Sequence, residues 1–175
     1  MINLIVGNFY FITNQYFHDF PDDKLMSNKE IIDGQEHNRP CFYAIFNKNT
    51  GLYWLIPISS QVTKFEDIYD KKLLKYKEVD TIVFGFVLGK KKAFLIQNMF
   101  PIIPQYINNE YMDSVTHQPV IINERLHNEL ITKANKVLHL QRSGYRLIFP
   151  DVLKIESVLI AKLEVQKAQE EAANE

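Results

Sequence analysis

Two apolar segments joined by a short polar turn are the clearest feature of the hydropathy pattern. The first segment runs from His37 to Phe46, the turn covers Asn47 to Gly51, and the second segment runs from Leu52 to Gln61. Apolar runs of this length that end at polar turn residues are typical of buried β-strands. The pattern therefore predicts a β-hairpin with an arginine at the start of its first strand and two serines at the end of its second strand.

The remaining pattern predicts further strands, followed by helices. Apolar runs at residues 7–13, 81–88 and 92–96 predict three strands, the last two joined by a turn at Gly89-Lys90-Lys91. Helical spacing of apolar residues predicts helices after Thr63, after Asn123 as far as Gly144, and after Asp151. Residues 14–34 are expected to be a long loop or a short helix within loops, and residues 105–111 a short helix. This order indicates an α+β fold, with three or four helices packed around a small, twisted, barrel-like antiparallel sheet.

Length and composition point to one domain. The chain has 175 residues, of which 46% are hydrophobic, enough to bury a single core. We expect one domain over residues 1–165 and a polar, frayed tail over residues 166–175. A single cysteine, Cys41, excludes a disulfide within the monomer. No apolar run reaches the ~20 residues that span a bilayer, and the N-terminus does not resemble a signal peptide, so we expect a cytoplasmic protein.

The charge is unevenly distributed. The formal net charge is −1, but residues 164–175 hold four glutamates and one lysine, which leaves the rest of the chain mildly basic. The lysines form two clusters, Lys71, Lys72, Lys75 and Lys77 in the first and Lys90, Lys91 and Lys92 in the second. Such clusters attract polyanions when the fold brings them to one face, although a solvated surface explains each of them equally well.

The ends of the predicted hairpin could bind a phosphodiester. Arg39 supplies a planar cation whose forked donors match phosphate oxygens, and Ser59 and Ser60 supply short hydroxyl donors. Lys64 could contact a phosphate or protonate a leaving 5′-oxygen, and His37 could transfer a proton. The alternative is an ordinary hairpin with polar ends, a surface lysine and a loop histidine.

Other kinds of chemistry find little support in the sequence. The five histidines lack the paired spacing of a metal site, and no glycine-rich phosphate loop is present, so neither a metal nor a nucleotide cofactor is expected. Cleavage of RNA by its own 2′-hydroxyl fits, because the enzyme then needs only to align the backbone, stabilise charge and move two protons. Tyr10 and Tyr106 are candidates for stacking on unpaired bases.

Several segments together resemble known toxin families. The aromatic strand Gly7 to Phe11, the Arg39-Pro40 pair and the segment Pro57 to Gln61 are similar to the MazF/Kid toxin endoribonucleases. With the Lys90–Lys92 hairpin, residues 98–101 and two closing helices, most of the chain resembles the toxins of type III toxin–antitoxin systems, the ToxN, AbiQ, TenpN and CptN group. The CptN-like branch resembles it most.

The resemblance implies a function and a set of site residues. It implies a metal-independent endoribonuclease toxin that leaves a 2′,3′-cyclic phosphate, processes and binds a repeated pseudoknotted antitoxin RNA, and assembles with it into closed rings. Arg39, Ser59 and Ser60 match active-site positions, and Lys64 follows at a longer spacing. The expected RNA-binding residues are Tyr10, Asn38, Gln61, Lys71, Lys72, Lys90, Lys91, Lys92, Asn98 and Tyr106. Two alternatives remain open: a non-catalytic RNA-binding module, and a protein-interaction domain that uses the last helix and its acidic tail.

Overall fold

The strands precede the two longest helices along the chain, whose residues 3–174 are described by this computed structural model. The strands are β1 (Phe9–Ile12), β2 (Lys29–Ile32), β3 (Gln35–Asn38), β4 (Cys41–Asn47), β5 (Leu52–Ser59), β6 (Ile82–Val87), β7 (Lys90–Leu95), β8 (Phe100–Ile102) and β9 (Ile107–Glu110). The helices are α1 (Asn14–Asp19), α2 (Val62–Tyr76), α3 (Glu124–Arg142) and α4 (Val152–Ala173). None of these helices is both long and apolar enough to cross a membrane.

The main sheet is antiparallel and open. Its strand order is β6-β7-β5-β4-β1-β9, and β8 pairs with the first half of β5. The pairings among the described strands leave β6 and β9 as the two ends of this order, so the sheet is not a closed barrel. The predicted α+β class and the antiparallel sheet are confirmed. A separate hairpin, β2–β3, lies outside the main sheet.

The two faces of the sheet are covered by different helices. The register pairs Phe9 with Phe42 and Ile58 with Phe94, which places these side chains on one face. Helix α3 lies on that face, so closely at Gly85 that a Cβ there would overlap the Leu126 side chain. On the other face, Phe65 of α2 packs in a cluster that includes Ile82, Ala93 and Leu95.

Local sequence signals determine where α3 and α4 begin. The Asn123 side chain accepts a hydrogen bond from the Leu126 N–H at 2.9 Å, and Asp151 accepts one from Lys154 N–H at 3.3 Å. Gly144 follows α3 with a φ of +99°, as expected of a stop residue. These predictions are confirmed, whereas α2 begins at Val62, one residue before the predicted cap Thr63.

Three segments differ from the predictions. Residues 14–34 contain α1 and the strand β2, and the turn Asp33-Gly34, with φ values of +50° and +77°, joins β2 to β3. The predicted strand from His37 to Phe46 is therefore two strands, interrupted at Arg39-Pro40. Of the short helix predicted over residues 105–111, only a 3-10 turn at Pro104–Tyr106 is present. Residues 107–110 pair with β1 instead, because pairing at the sheet edge outweighs local preference. The predicted tail is helical as far as Ala173, and its fraying remains a prediction.

Candidate functional site

An open pocket of about 570 Å³ lies on the part of the α3 face that α3 leaves uncovered. The hairpin β2–β3 lines one side and the turn between β6 and β7 lines another, while Pro40 and Ile58 contribute from the main sheet. The β5 segment that ends at Ser59 and the start of β7 meet at this pocket. The sheet therefore places the segment that carries the serines beside the segment that carries the second lysine cluster.

The hairpin β2–β3 presents a glutamate and a histidine to the pocket. Glu30 and His37 are directly opposite each other in the register, so their side chains lie on the same face of the hairpin. Both residues line the pocket, as do Ile32 and Gln35, the next opposed pair on the same face of the hairpin. Glu30 is only 6% exposed, whereas His37 is exposed to solvent.

Glu30 connects the hairpin to the end of β5. One of its carboxylate oxygens accepts a hydrogen bond from Arg39 Nη1 at 3.2 Å and another from Ser60 N–H at 3.1 Å. The other oxygen accepts the Ser60 hydroxyl at 3.1 Å. Burial of a carboxylate is costly without hydrogen-bond donors, and two of the donors here belong to Ser60, so these contacts fix Ser60 relative to the hairpin.

Arg39 holds the hairpin against the sheet and does not face the pocket as a free cation. It is 6% exposed. Its Nε donates to the Ser27 carbonyl at 2.7 Å, and its Nη1 donates to the Ile58 carbonyl at 2.8 Å as well as to Glu30. The phosphate contact predicted for Arg39 does not fit this burial, because these donors already bind protein oxygens.

Lys92 completes the cluster. Its Nζ donates a hydrogen bond to the Ser60 hydroxyl oxygen, and its side chain lines the pocket. The pKa of Lys92 lies below its ordinary value, mainly because the side chain is partly buried. The nearby Glu30 carboxylate opposes this shift, and the positive charge of Lys90 adds to it. Glu30, Arg39 and Lys92 together carry one negative and two positive charges, so the cluster has a net positive charge that suits an anionic ligand.

Ser59 and Ser60 point to opposite faces of the sheet. Ser59 is 1% exposed, pairs with Ala93 in the register, and accepts a hydrogen bond from Gln61 N–H at 3.2 Å. Ser60 follows the last residue of β5, and its hydroxyl contacts Glu30 and Lys92, which line the pocket. The sequence analysis predicts an active-site role for both serines, and of the two only Ser60 contacts residues that line the pocket.

Lys91 and Lys92 also alternate. Lys91 Nζ contacts Glu66 of α2 at 2.5 Å, on the face opposite the pocket. Lys90 and Asn38, both predicted to bind RNA, line the pocket beside Lys92. The lysine cluster is therefore divided between the two faces.

The predicted residues of α2 lie outside the pocket. Gln61 and Lys71 are exposed, and Lys64 extends over the Phe65 ring at 5.4 Å from its centroid. Lys72 is half-buried and donates to Thr81 at 3.0 Å and to Gln97 at 2.7 Å. The catalytic role predicted for Lys64 has no support from proximity to Ser60.

Three residues predicted to contact RNA are buried. Tyr10 and Tyr106 lie in the core, where the Tyr106 hydroxyl donates to Asp19 at 2.6 Å and the Tyr10 hydroxyl accepts from Ile5 N–H at 2.9 Å. Asn98 donates to the Lys24 carbonyl at 3.0 Å. Stacking or hydrogen bonding to RNA does not fit these positions, because the rings and the amide are enclosed by protein.

Sequence reasoning missed Glu30 and the hairpin that carries it. The Asp33-Gly34 pair, flanked by short segments able to form strands, was the available signal for a two-residue turn.

Within residues 3–174, no group of three or more histidine, cysteine, aspartate or glutamate side chains is arranged to hold a metal ion.

Comparison with known proteins finds a match in three dimensions. No family model matches the sequence, and no curated protein matches it. The fold is similar to a solved structure of AbiQ, a lactococcal anti-phage endoribonuclease belonging to the type III toxin–antitoxin system. The aligned region covers 90% of this chain and 97% of the AbiQ chain, with a TM-score of 0.60 and 16% sequence identity. The fold of the present protein is similar to that of AbiQ.

The similarity to AbiQ concerns the whole fold, because nearly all of both chains are matched. It agrees with the α+β architecture predicted from the sequence and with the resemblance to the type III toxin group. It does not distinguish the CptN-like branch from the rest of that group. At 16% identity, similarity to AbiQ describes the architecture, and the chemistry has to be argued from the pocket.

Proposed function

We propose that the protein is an endoribonuclease toxin of a type III toxin–antitoxin system. The observation that carries this proposal is the cluster of Glu30, Ser60 and Lys92 at an open pocket, within a fold similar to that of AbiQ. Lys90 and His37 add a cation and a proton-transfer group to the same pocket.

The reaction that fits is cleavage of RNA by its own 2′-hydroxyl. The 2′-oxygen attacks the neighbouring phosphorus, the bond from phosphorus to the 5′-oxygen breaks, and a 2′,3′-cyclic phosphate forms. A base takes the proton of the 2′-hydroxyl, and an acid gives one to the leaving 5′-oxygen. The protein's part is to hold the phosphate, stabilise its developing charge and move these protons.

The hydrogen bonds of Ser60 and Lys92 favour different roles for the two residues in this proposal. The Ser60 hydroxyl has one hydrogen, which it donates to Glu30, while its oxygen accepts from Lys92. An ammonium group has three donors, so Lys92 keeps donors for a phosphate after binding Ser60. Lys92 is thus the group that stabilises the phosphorane, and Ser60 and Glu30 hold it in place. His37, opposite Glu30 in the hairpin, is the candidate for proton transfer.

The remaining features of the proposal follow the type III systems. The substrate is messenger RNA, and the inhibitor is a repeated, pseudoknotted antitoxin RNA that the toxin processes and then binds in a closed toxin–RNA complex. The proposed setting is the cytoplasm, with a role in phage defence, no cofactor, one catalytic domain over residues 1–165 and membership of the CptN-like branch.

A cleavage assay with two neighbouring serine variants tests the proposal. Protein stripped of RNA is incubated with a defined RNA in excess EDTA, and the 3′ ends of the products are analysed. Wild type and Ser59→Ala should cleave and leave cyclic phosphates, because Ser59 faces away from the pocket. Ser60→Ala should cleave far more slowly. Binding of intact RNA by all three proteins would contradict the proposal and favour a non-catalytic RNA-binding module.

A further inference from the structure

The pocket is lined by two aromatic side chains as well as by charged ones. Phe11 and Tyr111 both line it and are both partly exposed. Their ring centroids are 5.2 Å apart with an interplanar angle of 65°. Such an edge-to-face pair is a rigid surface on which a flat, apolar group can stack.

The backbone holds this aromatic pair in place. Phe11 lies in β1, between β4 and β9 in the strand order. Tyr111 N–H donates to the Phe9 carbonyl at 2.8 Å, and the Tyr111 carbonyl accepts from Val120 N–H at 2.9 Å. Burial, with the Asp113 carboxylate, raises the pKa of Tyr111 above its ordinary value.

Another side of the pocket carries an exposed leucine in a costly conformation. Leu88 lines the pocket, is 50% exposed, and has a φ of +49°. It forms the turn between β6 and β7 with Gly89, whose φ is +74°. Asparagine, aspartate and glycine are the residues that usually occupy such turns, because a left-handed backbone strains leucine. The strain places an apolar side chain at the pocket.

We propose that the apolar part of the pocket lining, formed by the Phe11–Tyr111 pair and, on another side, by Leu88, binds the base of a nucleotide adjacent to the scissile phosphate. This inference rests on the proposed function and adds a base-binding subsite to it. A base is the occupant that fits, because it is flat and apolar on its faces and is covalently attached to the phosphate that Lys92 attracts. The pocket volume of about 570 Å³ lies within the range typical of small-molecule sites.

The test combines abasic RNA with variants of the subsite. The cleavage position of wild type is mapped first, and substrates are then made with an abasic residue on either side of it. One of these should lower kcat/KM of wild type about 5- to 150-fold, the range expected for loss of one stacked base. Tyr111→Leu and Phe11→Leu should lower kcat/KM for intact RNA and abolish the difference between intact and abasic RNA.

Two further variants separate base binding from folding. Tyr145→Leu, at an exposed tyrosine outside the pocket, should retain both the wild-type rate and the wild-type abasic effect. Leu88→Asn should fold at least as well as wild type, because asparagine tolerates the left-handed backbone, yet should cleave intact RNA several-fold more slowly.

The possible results distinguish this inference from the proposed function. If wild type cleaves RNA and abasic substitution affects wild type and the Tyr111, Phe11 and Leu88 variants equally, the base subsite is refuted while the nuclease proposal stands. If wild type cleaves no RNA, the nuclease proposal fails and the inference fails with it. An abasic effect that disappears only in the subsite variants supports both.

Discussion

Replacement of Glu30 by glutamine should destabilise the fold strongly, because it leaves the Arg39 guanidinium buried without a carboxylate. Both side chains of this pair are almost completely buried, with 7% of the Arg39 side chain and 4% of the Glu30 side chain exposed. Breaking a buried ion pair by removing one charge costs about 3–5 kcal/mol. We expect about 3 kcal/mol for Glu30→Gln, at the low end of that range, because an amide oxygen can still accept a hydrogen bond from Ser60 N–H.

The same hairpin supplies a matched control. Glu36 pairs with Lys29 at 2.8 Å, and both side chains are exposed. Glu36→Gln should therefore cost less than about 1 kcal/mol, as is usual for a surface pair. Urea unfolding measures the free energy of unfolding of each variant. The slope m of that free energy against urea concentration should be unchanged if the variants differ only in stability. Equal stabilities for the two variants would refute the view that the buried pair anchors the hairpin.

Three further predictions concern the pocket and α3. The cleavage rate should fall at high pH as Lys92 loses its proton. Glu30→Gln should move that fall to lower pH, because the Glu30 carboxylate raises the pKa of Lys92. Single-turnover cleavage rates of both proteins over a pH series test this prediction. Asn123→Ala should cost about 1 kcal/mol in urea unfolding, because it removes the acceptor of the Leu126 N–H. Gly85→Ala should cost about 1–3 kcal/mol by overpacking, because its Cβ overlaps the Leu126 side chain, and thermal unfolding would show it as a lowered Tm.

Local features of the sequence were enough to predict much of the fold. The hairpin of β4 and β5 was visible as two apolar runs around a polar turn, and the two longest helices were visible from their caps and helical spacing. These signals act between residues close in sequence, where turn and capping preferences decide the structure. The antiparallel sheet followed from them.

The composition of the site depended on contacts between distant residues. Glu30 and Ser60 are 30 residues apart, and Lys92 lies 32 residues beyond Ser60, so no local pattern links them. The neighbours Ser59 and Ser60 could be told apart only once the register was known, because the position in the sheet decides which one faces the pocket. Arg39 was expected to bind phosphate because its partner Glu30 lay in a segment predicted to be a loop.

The most direct test of the proposed site compares two neighbouring lysines. Lys92 faces Ser60 in the pocket, and Lys91 faces Glu66 of α2 on the other side of the sheet. Cleavage of one defined RNA in EDTA should be about 10²- to 10³-fold slower for Lys92→Met than for wild type, the loss expected when one donor to the transition state is removed. Lys91→Met should cleave within a few-fold of the wild-type rate. Equal rates for the two variants would contradict the assignment of Lys92 to the reacting phosphate.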